Sequence, residues 1–143
     1  MKKLFVTIIL ICTLCLSGCG TFEEMKEGMK KSRIMAENFC IELAYDNYDT
    51  ARGYLHQQNL TKGDPRLFLS ALNNMETSNG IDFSNGVKFD SCISMSSTYY
   101  DSVYDGSVYQ FVYKMSVGSK TINMEFVVID NDNGHGILSF EID

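Results

Sequence analysis

The spacing of the hydrophobic residues changes twice along the chain. Residues 4–16 form an apolar run without a charged side chain, and residues 36–75 then place apolar positions three and four residues apart. After Gly80 the apolar residues alternate with polar ones. The first spacing is typical of amphipathic helices and the alternation is typical of half-buried strands. The pattern therefore predicts an apolar leader, then helices, then strands.

Three helices are predicted in the first half of the chain. The apolar stripe of the first helix consists of Ala36, Phe39, Cys40, Leu43 and Ala44. We expect this helix to end near Tyr45, and a second, shorter helix to follow Asp46 or Asn47, either of which can cap it. The third helix has a cap at Asp64, a proline at its first position and a glycine stop signal at Gly80.

Three or four strands are predicted after Gly80. The first contains Val87, Phe89, Ile93 and Met95, and its irregular phase at residues 90–92 indicates a bulge. The clearest alternation, at residues 108–117, places on one face Tyr109, Phe111, Tyr113, Met115 and Val117. Tight turns at residues 118–119 and 131–136 lead into two further strands. The predicted fold class is α+β, with two or three helices packed on one face of a curved, cone-like antiparallel meander.

The N-terminus has the three parts of an export signal. Lys2 and Lys3 precede the apolar run, and small residues follow it. The segment Leu16-Ser17-Gly18-Cys19 resembles the lipobox of bacterial lipoproteins at all four positions. The resemblance implies that Cys19 carries a diacylglyceryl group and becomes the N-terminus after cleavage. We therefore expect a signal peptide at 1–18, a lipidated cysteine and tether at 19–31, and one domain at 32–143.

A lipid on Cys19 makes the membrane the first predicted partner. The apolar run at residues 4–16 is shorter than the roughly 20 residues that a helix needs to span a bilayer. Two or more acyl chains anchor a protein stably where one does not. We therefore expect a domain outside the cytoplasm, anchored to the cell membrane or the outer membrane.

The charge of the chain argues against nucleic acid as a partner. The whole chain has 12 basic and 18 acidic residues and a net charge of −6. Cleavage removes Lys2 and Lys3, which leaves ten basic residues against eighteen acidic ones and a net charge of −8. A surface of this sign repels phosphate backbones.

Two cysteines, Cys40 and Cys92, remain outside the leader and the lipid site. They are a candidate disulfide in an oxidising compartment, or else two separate buried thiols. His56 and His135 have no ligand-like spacing to either cysteine, so neither a metal nor another cofactor is predicted. The segment at residues 130–134 is rich in Asp, Asn and Gly, and we interpret it as a hairpin turn in preference to a calcium loop.

The order of elements, together with the segment at residues 47–55, resembles the nuclear transport factor 2-like superfamily, and cystatin-like domains have a similar shape. The resemblance implies a cone that can bind an apolar ligand, and enzymes of this superfamily place acids, histidines and tyrosines in it. Candidate pocket residues are His56, Tyr109 and Tyr113, with Asp101 and Asp105 nearby in sequence. The alternative is that the aromatic residues fill the core and that His56 lies on the surface of a short helix.

A second candidate site is the tyrosine cluster Tyr99, Tyr100 and Tyr104, which lies in a polar stretch at a predicted hairpin end. Exposed tyrosines there can bind a partner, or they can be half buried at a strand end.

No nucleophile elbow, phosphate loop or metalloprotease motif is present. We expect a non-catalytic binding or assembly module for an envelope protein or a small apolar ligand. The alternatives are a small pocket enzyme of isomerase or hydrolase type, or an inhibitor-like or immunity-like lipoprotein.

Overall fold

The computed structural model describes the backbone from residue 2 to residue 143 and the side chains from residue 20 onward. Cys19 and the rest of the predicted lipobox therefore lie outside the described side chains. Three helices come first: α1 (Lys2–Ala44), α2 (Tyr48–Gly53) and α3 (Pro65–Asn79), followed by a 3-10 turn at Phe83–Asn85. Four strands follow: β1 (Val87–Asp101), β2 (Gly106–Val117), β3 (Lys120–Asn131) and β4 (Gly134–Ile142).

The strands form one antiparallel sheet in the order β1-β2-β3-β4. The helices precede the sheet in the chain, so the predicted α+β class with helices before a meander is confirmed. In the part of the chain that the structure describes, no helix is both long enough and apolar enough to cross a membrane.

Helix α1 begins earlier than its predicted stripe. Residues 21–31, predicted as a tether, lie within α1. Met25 and Met29 from this segment pack against the core. They continue the stripe that contains Ala36 and Phe39 at spacings of three and four residues, which gives this part of α1 an apolar side to bury. The packed part of α1 thus extends in front of residue 32, where we predicted that the domain begins.

The signals at the ends of α2 and α3 are borne out to different degrees. The carboxylate of Asp64 accepts hydrogen bonds from the backbone N–H groups of Arg66 and Leu67, and Gly80 ends α3 in the left-handed conformation with φ of 59°. Asn47 occupies the cap position of α2 but makes no capping bond with its side chain. Its side-chain amide donates to the carboxylate of Glu42 instead.

The predicted irregularity in β1 is confirmed. The pairing of β1 with β2 shifts between Phe89 and Ser91, between Cys92 and Ser94, and again after Thr98. By contrast, β2 and β3 pair without interruption from the turn at Gly118 to the far end of both strands. The first strand is therefore the irregular edge of an otherwise regular sheet.

Candidate functional site

The interior between the helices and the sheet is filled. The alternating residues of β2 are all buried, namely Tyr109, Phe111, Tyr113, Met115 and Val117. The ring of Phe39 from α1 lies edge-on to Phe126 of β3, with 6.4 Å between centroids, and 4.7 Å from Phe140 of β4. The interpretation that the aromatic residues fill the core is thus confirmed.

The three candidate pocket residues have separate partners. Tyr109 packs against α1 at Gly28, where an added Cβ atom would lie 2.4 Å from the Cζ atom of the ring. Tyr113 contacts Arg33 and Glu37 of α1. His56 lies after α2, where its ring nitrogen Nε2 is 3.1 Å from Oδ1 of Asn131. The three side chains therefore lie in three separate places and do not line one pocket.

His56 is buried, with 2% of its surface exposed, so the expectation of a surface histidine is wrong. Its Nδ1 accepts a hydrogen bond from the backbone N–H of Gln58 at 3.1 Å. Since Nδ1 accepts, Nε2 carries the proton and donates to Asn131. Its backbone N–H donates to Ile137 of β4. Both ring nitrogens of His56 are thus occupied by hydrogen bonds that hold the fold together. The sequence did not indicate this burial, because it depends on a contact with the distant residue Asn131.

A polar cluster connects Tyr113 to α1. The hydroxyl of Tyr113 donates to Oε1 of Glu37 and accepts from Nε of Arg33 at 3.0 Å. The guanidinium carbon of Arg33 lies 5.6 Å from the centroid of the same ring. Burial raises the pKa of Tyr113, and the hydrogen bond to Glu37 raises it further. The hydroxyl is therefore a fixed donor that positions two charged side chains of α1.

These two charged side chains line a groove on the surface between α1 and β1, with a volume of about 820 Å³. Its apolar lining consists of Phe22, Met25, Met29, Ile34 and Met95, and its charged lining consists of Lys26, Glu27, Lys30, Arg33 and Glu37. The volume lies within the ~300–1,000 Å³ typical of ligand sites. Methionine side chains are flexible and adapt to different apolar surfaces. The groove is the best candidate binding site in the described part of the chain.

Sequence reasoning missed the groove because its walls come from residues 22–37 and 95–97, which only the fold brings together. One signal was present. Phe22, Lys26, Met29, Arg33 and Glu37 recur at spacings of three and four residues, which places them along one stripe of α1.

The predicted tyrosine cluster lies beside the groove, at the end of the β1–β2 hairpin. Tyr99 and Tyr100 are more than half exposed, whereas Tyr104 is half-buried. The hydroxyl of Tyr100 donates to Asp105 at 2.6 Å, and this bond raises the pKa of Tyr100. Asn131 donates from its side chain to the carbonyl of Tyr104. The cluster thus consists of two accessible rings and one half-buried ring, and its binding role stays a prediction.

Ser32, His135 and Asp130 come together in an order that resembles a hydrolase triad. Nε2 of His135 is 2.8 Å from Oγ of Ser32, and Nδ1 is 3.8 Å from Asp130. However, Ser32 is fully buried and its hydroxyl donates to the carbonyl of Gly28 at 2.8 Å. His135 must then donate to Ser32, which is the opposite of what a general base requires. This cluster joins α1 to the β3–β4 turn and does not activate a nucleophile.

We expect this contact to make stability depend on pH. Burial lowers the pKa of His135 from its ordinary 6.5, with Asp130 acting in the opposite direction. Protonation of His135 is therefore less favourable in the folded state than in the unfolded state, so its contribution to stability is greatest above pH 6.5 and is lost as the pH drops below it. Urea unfolding between pH 7.5 and 5.5 should show a loss of up to about 1 kcal/mol for the wild type. The loss should shrink in His135→Asn, and an unchanged loss would contradict this assignment.

The candidate disulfide between Cys40 and Cys92 is not formed, and both thiols are free. Cys40 lies on the buried stripe of α1 against Met124 of β3, whereas Cys92 pairs with Tyr113 and donates to the carbonyl of Ser94. The two side chains thus have different neighbours. Burial raises the pKa of Cys40, which keeps this thiol protonated and unreactive.

Among the described residues, no group of three or more His, Cys, Asp or Glu side chains could bind a metal ion. The Asp- and Asn-rich segment forms the turn between β3 and β4, where Oδ1 of Asn131 accepts from the backbone N–H of Asn133 at 2.9 Å. Comparisons with protein-family models, curated proteins and solved structures found no match.

Proposed function

We propose that this protein is a lipid-anchored lipoprotein of the cell envelope, and that its domain is a non-catalytic binding or assembly module. The partner is another envelope protein or a small apolar ligand, and the binding site is the groove between α1 and β1. The observation that supports this role is the combination of a filled interior with an open groove. A filled interior leaves no room for a substrate, whereas the groove offers accessible apolar side chains such as Met95 next to cations.

The position of the groove suits a lipid anchor. Phe22, at one end of the groove, follows Cys19 by three residues. In a helix three residues correspond to a rise of about 4.5 Å. Acyl chains on Cys19 would therefore keep the groove close to the membrane surface. Confinement to that surface raises the effective concentration of other membrane-bound partners.

The test uses the full-length chain in bacterial cells, with a photoreactive amino acid in place of Met95 or Leu67. Both positions are 53% exposed, so Leu67 on α3 is a matched control. We expect a cross-link to an envelope protein or an apolar molecule from position 95 and none from position 67. In a Cys19→Ser background the protein should lose almost all incorporation of a palmitate analogue and leave the membrane fraction. Cys92→Ser should retain both properties.

Either half of the proposal can fail separately. Equal labelling of Cys19→Ser and wild type would contradict lipid attachment at Cys19. Equal cross-linking from positions 95 and 67 would contradict the groove as a binding site.

A further inference from the structure

We propose that the groove partner is an extended acidic segment of another envelope protein, which binds by adding a strand to the outer edge of β1. This inference rests on the proposed binding function and specifies the chemistry of the partner. It is carried by three features: the edge of β1, the sequence of β1, and the charge on the facing side of α1.

The two edges of the sheet differ. The outer edge of β4 is covered at residues 137–138, because Ile137 exchanges backbone hydrogen bonds with Tyr54 and His56 at 2.9 and 2.8 Å. Asn59 adds a side-chain bond to the carbonyl of Leu138 at 2.7 Å. Within the described residues, β1 makes backbone hydrogen bonds with β2 alone. On its outer edge, β1 therefore has backbone donors and acceptors available for a further strand.

The middle of β1 lacks the charged residues and prolines that usually protect an open edge. Residues 91–100 contain no charged side chain and no proline, and residues 93–100 are all exposed. Bulges flank the regularly paired segment at residues 94–98 but do not interrupt it. Soluble proteins commonly place lysine or proline at such positions to prevent pairing with other chains. An unprotected regular segment between two bulges is thus suited to one short added strand.

Two backbone acceptors in this region are already engaged. Ser107 donates from its hydroxyl to the carbonyl of Tyr99 at 2.6 Å, and the thiol of Cys92 lies 3.4 Å from the carbonyl of Ser94. The backbone of residues 95–98 has no such side-chain partner among the described contacts. We therefore place the added strand opposite residues 95–98, which include the part of β1 that lines the groove.

The charge of the groove specifies the partner. Three cations and two carboxylates line it. Arg33 and Glu37 are bonded to Tyr113, and neither Lys26 nor Lys30 forms an ion pair within the described residues. Both lysines are exposed, on a chain whose net charge is negative. An added strand presents every second side chain to the helix side of the sheet, so acidic and apolar residues at alternate positions would meet these lysines and methionines.

A second copy of this chain and a lipid surface fit less well. In a second copy, residues 91–100 offer no acidic side chain to Lys26 or Lys30. Symmetric pairing of two β1 strands would also bring these lysines of both copies to the same side of one sheet, where they repel each other. A lipid head group can neutralise the lysines but does not form a ladder with the backbone of β1.

The experiment measures peptide binding to the lipidated protein in nanodiscs of neutral lipid. The probe is a ten-residue peptide with Thr at every second position and Glu, Leu and Phe at the others, and the control peptide has Lys in place of Glu. We expect the acidic peptide to bind and the basic one not to bind. A Lys26→Glu, Lys30→Glu double variant should bind the acidic peptide on the order of tenfold more weakly. Lys114→Glu, on the opposite face of the sheet, should bind as wild type.

Backbone N-methylation of the peptide distinguishes strand addition from other ways in which the peptide could bind the groove. Methyl groups at every second amide should abolish binding, and methyl groups at the intervening amides should leave it unchanged, because only alternate N–H groups of an edge strand face its neighbour. Binding that is insensitive to methylation overturns strand addition while the groove remains a binding site. Equal binding of the acidic and basic peptides overturns the charge argument.

Three further outcomes would also overturn the inference. One is concentration-dependent dimerisation that Met95→Lys abolishes, which assigns the edge to a second copy. Another is tight binding to phosphatidylglycerol vesicles that is lost in the double lysine variant, which assigns the cations to a lipid surface. The third is no peptide binding with a persistent cross-link at position 95, which leaves the proposed function intact with a different ligand. Loss of both the peptide binding and the cross-link contradicts the proposed function itself.

Discussion

Replacing Phe39 with alanine should lower the free energy of unfolding by about 3–5 kcal/mol, the range found for large aromatic residues in packed cores. Phe39 is fully buried and its ring contacts three other rings, with centroid distances of 6.3 Å to Phe68, 6.4 Å to Phe126 and 4.7 Å to Phe140. These contacts join α1 to α3, β3 and β4. The alanine variant removes buried apolar surface and leaves a cavity where four elements meet.

The matched control for Phe39→Ala is Ile41→Ala on the same helix. Ile41 is 39% exposed and lies outside the core cluster, so truncation removes less buried surface than at Phe39, and alanine is the better helix former. We expect a change below about 1 kcal/mol. Urea unfolding followed by circular dichroism measures both variants, and similar destabilisation of the two would contradict the packing described for Phe39.

The second large effect is expected for Gly136→Ala, with a loss of about 2–4 kcal/mol from overpacking and broken hydrogen bonds. A Cβ atom at position 136 would lie 2.6 Å from both the backbone nitrogen and the Cα atom of His56. A backbone cannot move aside as a flexible side chain can. The substitution should therefore push the segment around His56 away from β4 and break its bonds with Ile137.

Gly53→Ala is the control for this substitution. An added Cβ atom at Gly53 has no heavy atom within 4 Å, and the residue is the last of α2. We expect a gain of up to about 1 kcal/mol, because alanine restricts the unfolded chain and favours the helix. Hydrogen exchange gives a second readout, since Gly136→Ala should accelerate exchange at the amide of His56. Unchanged exchange there would contradict the close approach of the two backbones.

The Gly136→Ala variant also tests which edge of the sheet binds the partner. Gly136→Ala disturbs the edge of β4, which the chain covers at residues 137–138, whereas the proposed strand addition uses the open edge of β1. If β1 is the binding edge, a folded Gly136→Ala variant should still bind the acidic peptide.

The sequence alone determined the elements whose signals are local. Alternation in β2 decides which side chains face the core, because successive residues of a strand point to opposite faces. Asp64 with Pro65 and the terminal Gly80 delimit α3 through capping bonds within a few residues of each end. Turn residues such as Gly118 connect neighbouring strands. These features depend on backbone geometry over short stretches, so a single sequence is sufficient to predict them.

Only the tertiary structure decided the features that depend on distant contacts. Spacing along the chain left open whether Cys40 and Cys92 are bridged, and the fold gives them different neighbours. His56 has the composition of a surface segment around it, yet the approach of Gly136 buries it. The groove needs residues from α1 and β1 that lie far apart in sequence. Such sites arise from the packing of helices against strands. That packing depends on contacts among residues from the whole chain, so no short stretch of sequence reveals it.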